Sequence, residues 1–219
     1  MNTKLYFASG NAHKRQEMAK LLPGYTIVIP ADEGISFEPE ETGSSFAQNS
    51  LIKAQALWQL VRAPVIADDS GICVDALGGA PGIYSARYAG REHRQGLADG
   101  TKLSQQEQNR LLLLDIEQEL RLSASNEQPR SCRYVCAMTL CLAQDRFYIV
   151  QETMEGELIP HIEQARGSGG FGYDPLVLLP AYNKTVAELS AQEKNAMSHR
   201  GKAARVILAL LDSLQKPTA

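Results

Sequence analysis

The sequence lacks a basic excess: 22 lysines and arginines stand against 25 aspartates and glutamates, for a formal net charge of −3. Proteins that hold nucleic acid through its phosphates normally carry surplus basic charge, so no nucleic-acid partner is expected. Small phosphate ligands stay open, because they need only a local basic cluster. No apolar run approaches the roughly 20 residues that span a bilayer, so no membrane partner is expected. No apolar h-region with a small-residue cleavage site follows Met1, so no secretory leader is expected either. Cysteine is scarce: Cys73, Cys132, Cys136 and Cys141 form no CxxC pair and have only four histidines for company. They read as small buried hydrophobes of a cytoplasmic protein, without a structural zinc. Internal repeats and low-complexity segments are missing as well.

What is present describes an ordinary globular protein of 219 residues, 44% hydrophobic and 21% charged, long enough for one domain or two tightly joined lobes. Its organising stretch is Ala67-Asp68-Asp69-Ser70-Gly71, which follows the strand-like Pro64-Val65-Ile66. Adjacent carboxylates at the end of a buried strand are costly unless cations compensate them. Neighbouring strand residues point to opposite faces, so Asp68 and Asp69 should do different jobs. Taken alone, the pair could cap the following Ser-Gly turn, or one member could face a cleft and hold a metal or activate water.

Ahead of it, Leu5 to Ala8 reads as a strand and Ser9-Gly10-Asn11-Ala12-His13-Lys14 as the turn into a helix whose apolar stripe is Met18, Leu21 and Leu22. Free backbone N–H groups and the positive helix end make such a turn an anion site. The same residues also fit a plain Asn11 cap with solvated His13 and Lys14; neither a GxxxxGK[ST] nor a GxGxxG pattern occurs there. A strand over Tyr25–Ile29 and an acidic loop, Glu38 to Gly43, precede a helix from about Ser45 to Val61. Its predicted buried stripe is Ala47, Leu51, Ala54, Trp58 and Val61, with Asn49 and Lys53 sharing a face beside it.

After the acidic pair, a long glycine-containing loop is expected to Gly90, then a helix over 104–122 with Leu111, Leu114 and Leu120 among its apolar positions. Cys132–Leu142 and Phe147–Thr153 read as a hairpin, and Glu155 to Ile159 as the start of a return strand or turn. A second glycine-dense loop, Arg166 to Pro175, carries Phe171 and Tyr173 and leads into a strand at Leu176–Leu179. It suits a flat, partly apolar ligand such as a base, or else its aromatics plug the core. In the C-terminal helix Val206, Ile207, Leu210, Leu211 and Leu214 are expected on one face, with Ser198 as N-cap. His199, Arg200 and Lys202 then oppose the helix dipole, which a bound anion would explain. The element pattern is α/β with a mixed sheet.

Cationic stretches at Lys14, Lys53 and Lys194 with His199 and Arg200, carboxylates at Glu40-Glu41 and Asp68-Asp69, and an aromatic-glycine loop are what a nucleoside triphosphate with Mg²⁺ requires. Two other readings stay open: a pyrophosphatase of pyrimidine nucleotides, and a nucleotide sensor without turnover. From Phe7 to beyond Lys202 the motifs resemble the inosine triphosphate pyrophosphatase family, the Ham1-like house-cleaning hydrolases. The matching pieces are Ser9 to Lys14, Glu40-Glu41-Thr42-Gly43 with Asn49 and Lys53, Ala67 to Gly71, Gly79 to Tyr88, Gly170 to Pro175 and Ser198-His199-Arg200-Gly201.

The resemblance implies one 1–219 domain of two inseparable lobes, a central mixed sheet flanked by helices and an active-site cleft between the lobes. It also implies a cytoplasmic Mg²⁺-dependent homodimer that hydrolyses ITP, dITP and XTP to the monophosphate and pyrophosphate. Carried over by position, Ser9, Gly10, Asn11, Ala12, His13, Lys14 and Lys53 hold phosphates and Ser70 contacts substrate. Glu40 and Asp69 bind Mg²⁺, with Glu41 the alternative to Glu40, and Asp69 is also the proton acceptor. Phe171, Gly172, Tyr173 and Asp174 cradle the base, and Lys194, His199 and Arg200 complete recognition. The Arg200 guanidinium is one expected donor to a 6-keto oxygen. The 91–130 segment is longer than in compact members.

Overall fold

The computed structural model describes residues 3–122, 130–170 and 172–215; Phe171 and nearly all of the 123–130 connector lie outside it, as does the His13 side chain. In chain order the elements are β1 (Thr3–Phe7), α1 (Ala12–Leu21), β2 (Tyr25–Val28), α2 (Phe46–Val61), β3 (Val65–Val74) and α3 (Gln105–Leu122). They continue as β4 (Ser131–Ala143), β5 (Arg146–Leu158), β6 (Val177–Leu179), β7 (Lys184–Thr185), α4 (Ala191–Met197) and α5 (His199–Gln215). The strands form a mixed sheet in the order β2-β1-β3-β4-β5-β6-β7. β1 runs parallel to β2 and β3, whereas β6 is antiparallel to β5 and β7.

The chain divides into two units. The first comprises Met1–Ser70, Cys136–Glu152 and Ser198–Ala219; the second comprises Gly71–Val135 and Thr153–Met197. In the first, side-chain alternation sorts the sheet into two apolar faces. Leu5, Phe7, Ile66, Cys136, Met138 and Leu140 pack with α1 (Met18, Leu21) and α5 (Ala203, Ala204, Ile207, Leu211). Tyr6, Ala8, Val65, Ala67 and Cys141 pack with Ala54 and Leu57 of α2. In the second unit, Leu112, Leu113, Ile116 and Leu120 of α3 cover Ile72, Val74, Cys132, Tyr134, Met154 and Val177.

Five expectations need correction. The acidic pair lies in the middle of a ten-residue strand and not at its end. The loop expected from Gly71 begins later because Ile72 and Val74 are wholly buried and Cys73 bridges back to Pro81. A side chain at Gly71 has no room, since its Cβ would lie 2.4 Å from both the Gly82 carbonyl and Ser85 Oγ. The buried face of α2 is also rotated by about one residue from the expected stripe, to Phe46, Asn49, Ser50, Lys53, Ala54 and Leu57. Polar partners cause this: Ser50 Oγ shares a 2.7 Å hydrogen bond with Thr139 of β4, and Asn49 and Lys53 reach Asp69 of β3. In α5, Val206 and Leu214 are exposed while Ala203, Ala204, Ile207 and Leu211 are buried, because small alanines let the helix lie close on the sheet. Similarly, α3 buries Leu112 and Leu113 and leaves Leu114 exposed.

Candidate active site

The alternation that sorts the core also parts the two aspartates. Counting along β3, Asp68 shares the face of Ile66, toward α1 and α5, and Asp69 the face of Val65 and Ala67, toward α2. Asp68 is 2% exposed and takes both oxygens of its carboxylate to Lys14 Nζ at 3.1 Å. Arg200 Nε adds a 3.0 Å bond to Oδ2. The remaining guanidinium nitrogens donate to Glu17 Oε2 at 2.8 Å and Ser70 Oγ at 2.9 Å. Burial would raise the Asp68 carboxyl, but Lys14 and Arg200 outweigh it and hold it well below the usual carboxylate range.

This cluster revises the reading of Arg200. Its side chain is 1% exposed and all three nitrogens are engaged by protein groups, so it is not the expected free donor to a keto oxygen. Carboxylates of β3 and α1 supply the negative charge that the basic start of α5 requires. Ser198 does cap that helix, its Oγ accepting from the Gly201 N–H at 3.1 Å. Glu17 was absent from the expected site; its signal is its place one turn after Lys14 on α1.

On the opposite face Asp69 accepts from Lys53 Nζ at 3.2 Å through Oδ1 and from Asn49 Nδ2 at 3.3 Å through Oδ2. Lys53 Nζ also lies 3.1 Å from Glu41 Oε1. Burial raises the Asp69 carboxyl above its ordinary value; Lys53 pulls it down and Glu41 pushes it up. The acidic loop is pinned to the start of α2, with the Gly43 N–H donating to Asn49 Oδ1 at 2.9 Å. A Cβ at Gly43 would sit 2.6 Å from that oxygen, so only glycine permits the approach. Glu41, half-buried on Lys53, is therefore the member of the acidic loop that meets Asp69, while Glu40 is exposed.

The two clusters differ in charge. Lys14 and Arg200 balance Asp68 and Glu17, whereas Lys53 faces both Asp69 and Glu41 and leaves one negative charge over. Two hard carboxylates already converging on one cation suit a Mg²⁺ ion, which takes one or two protein carboxylates and completes its shell with phosphate oxygens and water. Among the described residues no group of three or more His, Cys, Asp and Glu side chains could hold a metal alone. Cys136 contributes no nucleophile, since burial pushes its thiol up to about 12.

At the β1–α1 turn, Ser9 Oγ accepts from the Asn11 N–H and Asn11 Oδ1 from the Lys14 N–H, both at 3.1 Å. The cap and the anion-type helix start are therefore one structure. The first turn of α1 carries no acidic side chain, and a Cβ at Gly10 would meet nothing within 4 Å.

In the second unit Asp174, 4% exposed, accepts from Lys194 Nζ at 2.7 Å. The Gly170 backbone lies directly on this pair, for a Cβ there would come within 2.0 Å of Asp174 Oδ2 and 2.9 Å of Lys194 Nζ. Tyr173 is not an open stacking surface: it is 4% exposed, with its hydroxyl on the Ser85 carbonyl. Gly172 takes a 3.5 Å contact from Asn109 of α3, which gives the long 91–130 segment a part in holding this loop.

The sequence model of the Ham1 family matches residues 5–210. A dITP/XTP pyrophosphatase of Treponema denticola is 49% identical over 201 residues, covering 91% of this chain and 94% of that protein. One from Pectobacterium atrosepticum is 42% identical over 206 residues, 94% and 96% of the two chains. Among solved structures, a HAM1 protein from Coxiella burnetii superposes with a TM-score of 0.81 at 32% identity, covering 96% of this chain and 99% of that one. With the pattern matched over nearly its whole length and the fold shared, the chain belongs to the Ham1 family.

Proposed function

We propose that this protein is a nucleoside-triphosphate pyrophosphatase that hydrolyses dITP, ITP and XTP to the monophosphate and pyrophosphate. The observation that carries the chemistry is the division of labour on β3: a charge-balanced Asp68 and, one residue on, an Asp69 with a surplus negative charge shared with Glu41. A nucleotide sensor has no need of that second carboxylate.

Glu41 and Asp69 would hold Mg²⁺, which when bound supplies charge to the phosphate oxygens and lowers the pKa of water. Asp69 accepts the proton of the water that attacks the α–β phosphoanhydride, and the P–O bond to pyrophosphate breaks. Lys53 orients Asp69 and opposes the rise that burial imposes on its carboxyl, with Asn49 fixing the other oxygen. The turn from Ser9 to Lys14 presents the positive end of α1 to the triphosphate. Asp68 serves as the buried keystone that ties Lys14 and Arg200 to β3.

Base selection falls to the loop around Phe171 and Gly172 with Asp174 and Lys194, and to His199, which is 6% exposed at the start of α5. Lys194 and backbone N–H groups can donate to a 6-keto oxygen but meet the amino group of adenine badly, and unpaired buried donors reject the wrong base. A homodimer and a cytoplasmic location belong to the same proposal. The free Cys73, Cys132, Cys136 and Cys141 suit a reducing compartment, and no helix of the described residues is long and apolar enough to cross a membrane.

The test is kcat/KM for dITP, XTP, ATP, GTP, dTTP and UTP with Mg²⁺. The first two should exceed ATP, which lacks the 6-keto oxygen, by about a hundredfold. Chelation of divalent metal should abolish turnover, and Mg²⁺ should restore it. Comparable values across all six nucleotides would overturn the assignment.

A further inference from the structure

Asn49 and Lys53 stand one turn apart on α2 and repeat one pattern. Each makes one bond to the acidic loop and one to Asp69. Lys53 joins Glu41 to Asp69 Oδ1, and Asn49 joins the Gly43 N–H, at 2.9 Å, to Asp69 Oδ2, at 3.3 Å. Charge explains the place of Lys53. It does not explain Asn49, which is nevertheless 1% exposed. The Asn49 amide can stand only one way round. The Gly43 N–H can only donate, so it faces the amide oxygen, and Nδ2 is left to donate to the carboxylate. Two further bonds fix the end of the loop to the same helix turn. The Ser44 N–H donates to Gln48 Oε1 at 2.7 Å, and the Gln48 N–H to Ser45 Oγ at 3.2 Å. All of these residues belong to the first unit.

We propose that Asn49 is a positioning residue, a two-ended bridge that holds the acidic loop to Asp69 so that Glu41 and Asp69 meet one Mg²⁺ ion together. The inference rests on the pyrophosphatase reading above. Two like charges repel, and Lys53, a compact charge on a flexible stem, attracts both without fixing their direction. The amide adds a directed bond at each end and no charge. A cationic side chain at this position would cancel the surplus negative charge that suits the pair to Mg²⁺. A carboxylate would satisfy Gly43 but repel Asp69. A neutral amide serves both ends.

The two ends can be cut differently. Asn49→Asp keeps the shape and the acceptor for Gly43 but replaces the donor to Asp69 with a carboxylate oxygen, whereas Asn49→Ala cuts both ends. In each variant kcat for dITP should fall about a hundredfold, the cost of a misplaced catalytic group, with KM changed less than about threefold. Mg²⁺ affinity, measured by calorimetry without nucleotide, should move in opposite directions. Asn49→Ala frees the loop and should weaken binding about tenfold. Asn49→Asp leaves the loop pinned and adds a carboxylate beside the pair, so binding should tighten by a few-fold. Shifts of Mg²⁺ affinity in the same direction, or an undiminished kcat in Asn49→Asp, would overturn the proposal. An Asn49→Asp protein that does not fold would assign the amide to the fold alone and overturn it too. If Asn49→Ala does not fold, a lower kcat with tighter Mg²⁺ binding in Asn49→Asp is the supporting result. Failure of the pyrophosphatase reading appears separately, in the parent protein, as absent turnover of dITP, and takes the bridge's catalytic role with it.

Discussion

Asp69→Asn should release pyrophosphate from dITP at least about a thousandfold more slowly than the parent protein, within the range lost when a general base is removed. The substitution keeps the shape and can still accept from Lys53 or pair with Asn49, so the fold should survive. It removes the proton acceptor and half of the carboxylate pair facing Lys53. Nucleotide affinity, measured by calorimetry with a non-hydrolysable triphosphate, should change much less than turnover, because Lys14 and the β1–α1 turn are untouched. A variant that turns over dITP at the parental rate would refute the role of Asp69. One that loses binding and turnover together would move Asp69 from chemistry to substrate holding.

The second large effect is on stability. Arg200→Met should destabilise the fold by about 3–5 kcal/mol in urea denaturation, because it strands Asp68 and Glu17 in the protein without their shared guanidinium. Lys14 still neutralises Asp68 in part, which favours the lower end. A loss below about 1 kcal/mol would mean that the network contributes little.

The same cluster sets a pH dependence. The Asp68 carboxyl lies lower in the folded protein than its ordinary value near 4, so its ionisation contributes stability above that pH. The contribution is lost as pH falls through the folded value. The stability gap between the parent and Asp68→Asn should therefore be constant above about pH 5 and close steadily below about pH 4. A gap that widened on acidification would contradict the assignment of sign.

Much of this was legible from residue order. Asn11 after Ser9-Gly10 announces a capped helix start, and the cap appears as expected. The hairpin of β4 and β5, the Ser198 cap and the mixed sheet follow from propensity and turn chemistry. The faces of α2 and α5 did not follow from hydrophobic spacing. Asn49, Ser50 and Lys53 are buried through bonds to Asp69 and Thr139, and a polar residue's burial depends on partners far away in sequence. Arg200 illustrates the same limit: three basic residues at a helix start read as an anion site until Glu17 and Asp68 are seen to fill it.

Strand alternation, a local property of the chain, determines that Asp68 and Asp69 serve opposite faces of the sheet. Which face is charge-balanced and which carries surplus negative charge was decided only by the tertiary structure. Lys14, Glu17 and Arg200 come from α1 and α5, whereas Glu41, Asn49 and Lys53 come from the acidic loop and α2. Electrostatic energy depends on distance in space, so the partners that make one aspartate a keystone and the other the candidate base are chosen by how the helices pack on the sheet.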